Sequence, residues 1–361
     1  MATIRNDITK VKKINIELIK TMLKSHPQST KAQLAEITGI SVVTCGKILN
    51  ELKAVGEVFE VEQLNTGCGR PATTYRFNAN FESVACLYLW SDCKRLELVS
   101  EIADLVGKTI YSEVTVLETV DSATLEDAIR ALLRRDPSIR VVVLGVPGSV
   151  NRGKIYSSYL LALNGVYLQD LLSAAFPEVK IIVENAARAA AYGYSVSAPL
   201  APNDIVSYFF IPTEVCTGRH PHEILSAETA SGEDTFFRKP LLIDVGLVCD
   251  RRIIRGFSGF AGSLGMFLPL NLYCDIPADV IANLFSTLVP VLNPTAIVVT
   301  GNGMTRDKLE AAEKLCAAYI PAEHMPRIVL RADCRLDYSQ GLTLIALQEL
   351  ACEIELVQKQ I

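Results

Sequence analysis

Residues 30–56 of the 361-residue chain have the sequence TKAQLAEITGISVVTCGKILNELKAVG, which predicts two helices joined by a tight turn. Thr30 and Ser41 are each suited to cap a helix, because an N-cap hydroxyl accepts a hydrogen bond from an otherwise unpaired backbone N–H. Gly39 between them supplies the positive φ that a tight turn favours, and Gly56 ends the second helix. The stretch therefore predicts a helix-turn-helix, whose second helix can enter the major groove of DNA.

The segments on either side complete a small domain. Residues 11–23 carry apolar side chains on one helical stripe, and residues 58–63 and 73–78 have the pattern of two strands around a glycine-rich tip. Together they predict a winged helix-turn-helix domain over residues 1–78, which can present one helix to a groove about 12 Å wide. The alternative is a three-helix packing module that binds no nucleic acid.

The predicted DNA contacts lie on the second and third helices and at the tip of the wing. The exposed N-terminal face of the third helix is expected to meet base edges and phosphates, and its two valines suit contact with thymine methyl groups. A lysine and a glutamine on the preceding helix are expected to touch the DNA backbone, and the wing arginine suits an A·T-rich minor groove. The predicted contact residues are Lys31, Gln33, Ser41, Val42, Val43, Thr44, Lys47 and Arg70.

Composition and charge limit the class of protein. Half of the residues are apolar and 21% are charged, which excludes global disorder. No apolar run approaches the ~18 residues of a membrane span. Residues 1–78 carry eleven Lys and Arg against seven Asp and Glu, whereas the whole chain has a net charge of −5, so a basic head that suits a polyanion precedes an acidic body. The N-terminus has no signal-peptide core, so we expect a cytoplasmic protein. The ten cysteines are scattered, so we expect no disulfide framework and no metal site. We also expect no cofactor.

Beyond the head, the pattern changes to alternating strands and helices. Residues 79–361 begin with three successive strands, continue with helices and strands in alternation, and repeat this order in the second half. The duplication predicts two α/β lobes with a cleft between them. A final helix is expected over residues 341–359.

Short motifs along nearly the whole chain resemble one family. Residues 35–41 and the wing sequence Gly69-Arg70-Pro71-Ala72 resemble the N-terminal winged helix of the repressor members of the ROK family (repressors, open reading frames, kinases). The body is similar to this family's sugar-kinase fold, of the actin/hexokinase/Hsp70 superfamily, at residues 144–148, 165–168, 183–185, 255–262 and 297–301. The resemblance implies an α/β fold class, with an N-terminal winged helix-turn-helix followed by a two-lobed actin/hexokinase-like domain over residues 79–361.

The chain departs from the family where family members hold a nucleotide. The resemblance implies an Asp-x-Gly-Gly-Thr type of turn after the first strand of the body, but residues 89–93 are Leu-Trp-Ser-Asp-Cys, without glycine. A second phosphate loop should lie within residues 211–246, where a polar insertion over residues 213–239 interrupts it. Phosphate loops use glycine because backbone N–H groups must approach the phosphate closely. The bulky side chain of Trp90 would block that approach, so ATP binding is not expected.

The residues that the family uses on the sugar are also replaced. Ala186 stands where the family has an Asp that accepts the proton of the sugar hydroxyl during phosphoryl transfer. The other replaced positions are Ser263 and Met266, for a Glu and a His, and Tyr159 and Leu163, for an Asn and a Trp. Only Asn185 of this set is retained. We therefore expect no catalytic residues, place the candidate ligand-binding residues at Tyr159, Asn185 and Ser263, and expect a less polar ligand than a hexose, or none.

These observations predict a DNA-binding transcriptional regulator, a repressor of carbohydrate-related genes, with a non-catalytic body. The expected partners are double-stranded DNA with an inverted-repeat operator, a second copy in a homodimer or dimer of dimers, and a small-molecule effector that the sequence does not identify. No membrane partner is expected. Two alternatives stay open: a sugar kinase with an appended DNA-binding head, and a DNA-binding protein whose body is only a dimerisation scaffold.

Overall fold

The N-terminal head combines helices with a small antiparallel sheet. In a computed structural model, the described residues are 2–61, 73–91, 95–158, 160–211, 243–264, 276–301 and 303–351. The elements of the head are α1 (Ala2–Ser25), β1 (Ser29–Thr30), α2 (Lys31–Thr38), α3 (Val42–Val55), β2 (Val58–Val61) and β3 (Thr74–Phe77). The strands pair in the order β1-β3-β2. Helix α1 is longer at both ends than the apolar stripe at residues 11–23, and β1 was not expected from the sequence.

The core of the head is apolar. Ile19 of α1, Leu34 of α2 and Ile48 of α3 are buried together against Tyr75 of β3. The same cluster includes Leu105 of the body, so the head packs directly on the domain that follows it.

The first lobe of the body is a five-stranded sheet with helices on it. Its elements are β4 (Ser83–Ser91), β5 (Leu96–Asp104), β6 (Thr109–Leu117), α4 (Ser122–Arg135), β7 (Ile139–Val146), β8 (Ser149–Asn151), β9 (Lys154–Ser157), α5 (Leu168–Ala175), β10 (Lys180–Asn185) and α6 (Ala186–Ser197). The large sheet has the order β10-β7-β4-β5-β6, and β8 and β9 form a separate hairpin.

The second lobe repeats this topology. Its elements are β11 (Ile205–Ile211), β12 (Asp244–Cys249), β13 (Arg252–Ile253), α7 (Ala278–Leu292), β14 (Ala296–Gly301), α8 (Arg306–Cys316), β15 (Arg327–Arg331) and α9 (Arg335–Ala351). The strand order is β13-β12-β11-β14-β15, so in both sheets a three-strand antiparallel meander is extended by two parallel strands. The duplicated two-lobed architecture predicted from the sequence is confirmed. The insertion at residues 213–239 lies outside the described residues.

The closing helices of the two lobes are exchanged. Helix α6 follows the first sheet but packs on β11 and β12, whereas α9 follows the second sheet but packs on β4 and β7. The two helices cross closely, because a Cβ on Gly193 would lie 1.9 Å from the Asp337 carbonyl oxygen and one on Gly341 would lie 1.8 Å from that of Ala189. These glycines bring the helices into contact, and a shared apolar cluster around them lies between the lobes, in addition to one core within each lobe.

The last helix begins earlier than the sequence predicted. It starts at Arg335, whose backbone N–H donates to the Asp333 carboxylate at 2.9 Å, and Gly341 lies in its interior. The prediction placed the start at Gly341, but this glycine, although a weak helix former, lies inside the helix because the helix crossing needs it. Residues 352–359 of the predicted helix lie outside the described residues.

Among the described residues, no single helix is long and apolar enough to cross a membrane, and α2 with α3 reaches the required length and hydropathy only as a pair bent by 117°.

Candidate nucleic-acid interface and interlobe site

Helices α2 and α3 form a capped, sharply bent pair. Thr30 and Gln33 cap α2 reciprocally, with the Gln33 N–H donating to the Thr30 hydroxyl at 3.2 Å and the Thr30 N–H donating to Gln33 Oε1 at 2.8 Å. Gly39 ends α2 with a φ of 71°, and the helix axes are bent by 117°. An angle of about 90–120° across a short glycine turn is typical of DNA-binding helix-turn-helix units.

The capped end of α3 presents an unusual surface. Ser41 accepts from the Thr44 N–H at 3.2 Å, and its hydroxyl lies 2.8 Å from that of Thr44. Cys45 is buried in the core of the head, whereas Val43 is 70% exposed. Lys47, one turn after Val43, is exposed as well. Val43 and Lys47 thus place an apolar and a cationic side chain on one exposed face at the start of α3.

Two further side chains border this surface. Lys31 of α2 lies next to Gly46, since a Cβ on that glycine would be 4.0 Å from the lysine Cδ. Asn50 of α3 is exposed one turn after Lys47. Asn50 was not among the predicted contacts, although its spacing of three residues from Lys47 places both on one helix face. Because Gln33 uses its Oε1 in the cap, its amide N–H groups are the part left for DNA.

The wing is described only at its base. Strands β2 and β3 pair antiparallel from Val58 opposite Phe77 to Val61 opposite Thr74. The Arg76 guanidinium lies over the Phe59 ring at 5.9 Å, on the surface of this hairpin. The tip at residues 62–72, which includes the predicted contact Arg70, lies outside the described residues.

Asn185, the retained member of the family's sugar set, has a structural role in the interlobe cleft. Its Oδ1 caps α6 by accepting from the Arg188 N–H at 2.9 Å. Its Nδ2 donates to the Asp244 carboxylate at 2.7 Å and to the Gly148 carbonyl at 2.6 Å. Burial raises the pKa of Asp244, because a charged carboxylate is disfavoured away from water.

The other predicted ligand residues are only partly described. Ser263 is buried directly after Gly262, whose carbonyl accepts from the Val245 N–H at 2.9 Å, so Ser263 and Asn185 both lie near the start of β12. Leu163 is buried in the first-lobe core. Tyr159 and Met266 lie outside the described residues.

A buried ionic cluster lies at the end of β10, the edge strand of the first sheet. Glu184 Oε1 accepts from Arg188 Nε at 2.7 Å and from the Asn185 N–H at 2.8 Å, and Oε2 accepts from Arg255 Nε and Nη2 at 3.1 and 2.5 Å. The two guanidinium groups hold the pKa of Glu184 below its usual range despite its burial. An ionised, saturated carboxylate of this kind is a poor proton acceptor.

Arg188 joins the two lobes. Its Nη1 donates to the Gly259 carbonyl of the second lobe at 2.9 Å, and its Nη2 donates to the Val150 carbonyl of the first lobe at 2.8 Å. Sequence reasoning singled out neither Arg188 nor Arg255. The pair lies four residues apart across the junction of β10 and α6, so Glu184 at the strand end meets Arg188 in the first turn of the helix.

Aromatic side chains fill the space between the first strands of the two sheets. Trp90 precedes the end of β4 and Phe210 precedes the end of β11, and their rings meet edge to face with centroids 6.3 Å apart. The Arg335 guanidinium lies over the Trp90 ring at 4.8 Å. The family resemblance places phosphate turns directly after these two strands. Asp92 and Cys93 of the first turn lie outside the described residues.

Within the described ranges, no group of three or more His, Cys, Asp or Glu side chains could hold a metal ion.

Curated relatives of this chain are repressors. The sequence is 26% identical over 269 residues to a xylose repressor of Bacillus spizizenii and 25% identical over 271 residues to a xylose repressor of Bacillus subtilis. Each match covers 72% of this chain but only 61% of the relative, so the chain spans about three-fifths of the length of these proteins. No protein-family profile matches the sequence.

Solved structures share the fold. A ROK family transcriptional regulator, described as a homologue of the E. coli MLC protein, matches 95% of this chain and 98% of its own with a TM-score of 0.62 at 14% identity. A ROK hexokinase from Thermus thermophilus matches 74% of this chain and 99% of its own with a TM-score of 0.52 at 15% identity. The regulator match extends over nearly the whole chain, whereas the hexokinase match leaves about a quarter uncovered.

Proposed function

We propose that this chain is a member of the ROK family and a DNA-binding transcriptional repressor of carbohydrate-related genes whose body carries out no phosphoryl transfer. The observation that carries the proposal is the capped start of α3, where an exposed valine and an exposed lysine lie on one face beside α2, whose axis is bent by 117° from that of α3. Apolar and cationic groups on one exposed helix face match thymine methyl groups and phosphates.

The contact set of the proposed interface has two parts. Val42, Val43 and Thr44, with Ser41 at the cap, meet base edges in the major groove. Lys47, Lys31, the Gln33 amide and the wing residue Arg70 contact the DNA backbone or the minor groove. Phosphate contacts of this kind release counterions, so operator affinity falls steeply with salt.

The geometry of the body argues against the sugar-kinase alternative. Ala186 offers no carboxylate, and the neighbouring Glu184 is saturated by guanidinium and backbone N–H donors. Trp90 and Phe210 occupy the space between the strand ends where a nucleotide's phosphates would need open backbone. A base and a phosphate cradle are both required for phosphoryl transfer.

The carbohydrate assignment is supported by the xylose repressors to which the chain is similar. The body then supplies dimerisation and effector sensing. A two-fold dimer requires an inverted-repeat operator, with half-sites spaced by whole turns of about 34–36 Å. The dimerisation-scaffold alternative differs only in lacking an effector.

Selection of genomic fragments with the purified full-length protein tests the proposal. The expected result is enrichment of one palindromic site, bound less tightly at higher salt and not bound by a variant lacking residues 1–78. If no palindrome is enriched, or if the shortened variant binds the site equally well, the head has been assigned wrongly.

A further inference from the structure

A cavity of about 290 Å³ lies beside the Glu184 cluster, where the two lobes meet. The first lobe contributes the β8–β9 turn at Arg152, the start of α5 at Gln169 and the edge strand β10. The second lobe contributes the loop from Arg255 to Gly259. Of the predicted ligand residues, the two that the structure describes, Asn185 and Ser263, do not line this cavity.

The charged side chains that line the cavity are mostly cationic. They are three arginines, at positions 152, 188 and 255, against one glutamate, Glu184, which leaves two positive charges. The guanidinium of Arg188 already makes hydrogen bonds within the protein, because its three nitrogens donate to Glu184, Gly259 and Val150. Arg188 therefore balances Glu184, and Arg255 and Arg152 supply the excess charge.

The two remaining arginines are accessible. The Arg255 side chain is 50% exposed and donates to Glu184 through Nε and Nη2, so its Nη1 is directed away from that bond. Arg152 is exposed at the hairpin turn. Gln169 uses its Oε1 to accept from the Val183 N–H at 3.1 Å, which leaves its amide N–H groups as donors.

We propose that this cavity binds a small organic anion, a carboxylate or a phosphate monoester, through Arg152, Arg255 and the Gln169 amide. Guanidinium groups bind both kinds of anion through charge-assisted hydrogen bonds, often in pairs. Phe257, whose side chain is fully exposed on the same loop, offers an apolar surface for the rest of the ligand.

The bound anion contacts both lobes, with Arg255 on one side and Arg152 and Gln169 on the other. Its binding therefore favours one separation of the lobes over others, which is what an effector of the proposed repressor requires. The effector role rests on the proposed function, whereas the anion site does not.

Calorimetry on the full-length protein at low salt tests the site, with gluconate, glucose 6-phosphate and neutral glucose as probes. We expect at least one anionic probe to bind at least about tenfold more tightly than glucose. Gluconate carries a carboxylate and glucose 6-phosphate carries a phosphate, so comparing the two shows which group the cavity recognises. Arg152→Asn, which tolerates the φ of 47° at this turn, and Arg255→Gln should each weaken the anion by about tenfold or more. Arg134→Ala, at an exposed arginine of α4, is the matched control and should bind as the wild type does.

Several results would overturn the site: binding of neither anion, equal binding of glucose, or unchanged anion binding in both Arg152→Asn and Arg255→Gln. Arg255 contacts a buried carboxylate, so thermal unfolding of that variant is measured alongside, and Arg152→Asn decides the question if Arg255→Gln unfolds. Operator binding is measured on the same preparation. A protein that binds its operator but no anion overturns this inference alone, and one that binds anions but no operator overturns the proposed function.

Discussion

The ring of Trp90 meets the ring of Phe210 edge to face at a centroid distance of 6.3 Å, and this contact joins the first strands of the two lobes. Each residue lies one position before the end of its strand. A glycine turn after such a strand leaves backbone N–H groups open to a phosphate, whereas here two large side chains meet just before the strand ends. The contact forms an apolar bridge between the two lobes.

We predict that the purified protein does not phosphorylate hexoses, and that Ala186→Asp does not create this activity. The substitution restores a carboxylate but leaves the Trp90–Phe210 bridge in place, so the nucleotide still lacks its cradle. The measurement is ADP production with a mixture of hexoses, compared with a buffer control. Clear hexose-dependent ADP production by the wild type would contradict the prediction.

Lys47→Ala is predicted to weaken operator binding and to lower the slope of log affinity against log salt by about 1, because one phosphate contact is lost. Arg70→Ala should also weaken binding. The measurement is fluorescence anisotropy with the selected operator at a series of salt concentrations. Lys314→Ala, which removes an exposed lysine of α8 in the second lobe, is the matched control, and Cys249→Ala should have no effect either. An unchanged salt slope in Lys47→Ala would show that this lysine does not touch phosphate.

Gly341→Ala is predicted to destabilise the protein by about 1–3 kcal/mol or more, because the new Cβ would overlap the Ala189 carbonyl oxygen at the helix crossing. Gly46→Ala is the matched substitution at a helical glycine with open space, where the nearest atom is 4.0 Å away. It should stabilise the head by roughly 0.5–1 kcal/mol, because alanine is the better helix former. Urea unfolding measures both, and equal effects of the two variants would be inconsistent with a close crossing.

Asp244→Asn is predicted to change how stability depends on pH. The pKa of Asp244 is raised by burial above its ordinary value of 3.8, so the native state holds this proton more tightly than the unfolded state. The stability that Asp244 contributes is therefore complete below that ordinary value and is lost as pH rises through the raised pKa. The asparagine variant lacks this loss and should gain stability relative to the wild type as pH increases.

The experiment is urea unfolding of both proteins between about pH 4 and pH 8. Asp127→Asn, at an exposed carboxylate of α4, is the control and should follow the wild type. Parallel curves for Asp244→Asn and the wild type would mean that Asp244 titrates as it does in the unfolded chain.

Local features of the fold were predictable where a short stretch of sequence determines them. The caps at Thr30 and Ser41 and the glycine turn at Gly39 were predicted correctly, because each depends on hydrogen bonds or dihedral angles within a few residues. Gly341 was misjudged because its role is a contact with α6, about 150 residues away in sequence. Its neighbours along the chain carry no information about that contact.

The site was less predictable than the fold. Asn185 was predicted as a ligand-binding residue, but its observed partner Asp244 lies on a different sheet, and a single sequence does not pair them. The cation excess around Glu184 depends in the same way on Arg255, which reaches it from the other lobe. Contacts between lobes follow from the topology, and the topology was known only as a repeated order of elements.

The exchange of closing helices has a consequence for the order of synthesis. Val84, Cys86 and Val143 of the first sheet are covered by Leu342 and Ile345 of α9, which the ribosome produces after both sheets. The nascent first lobe therefore carries an uncovered apolar face while the second lobe is being translated. An exposed face of this kind is a target for chaperones, and the body completes its folding as one unit rather than lobe by lobe.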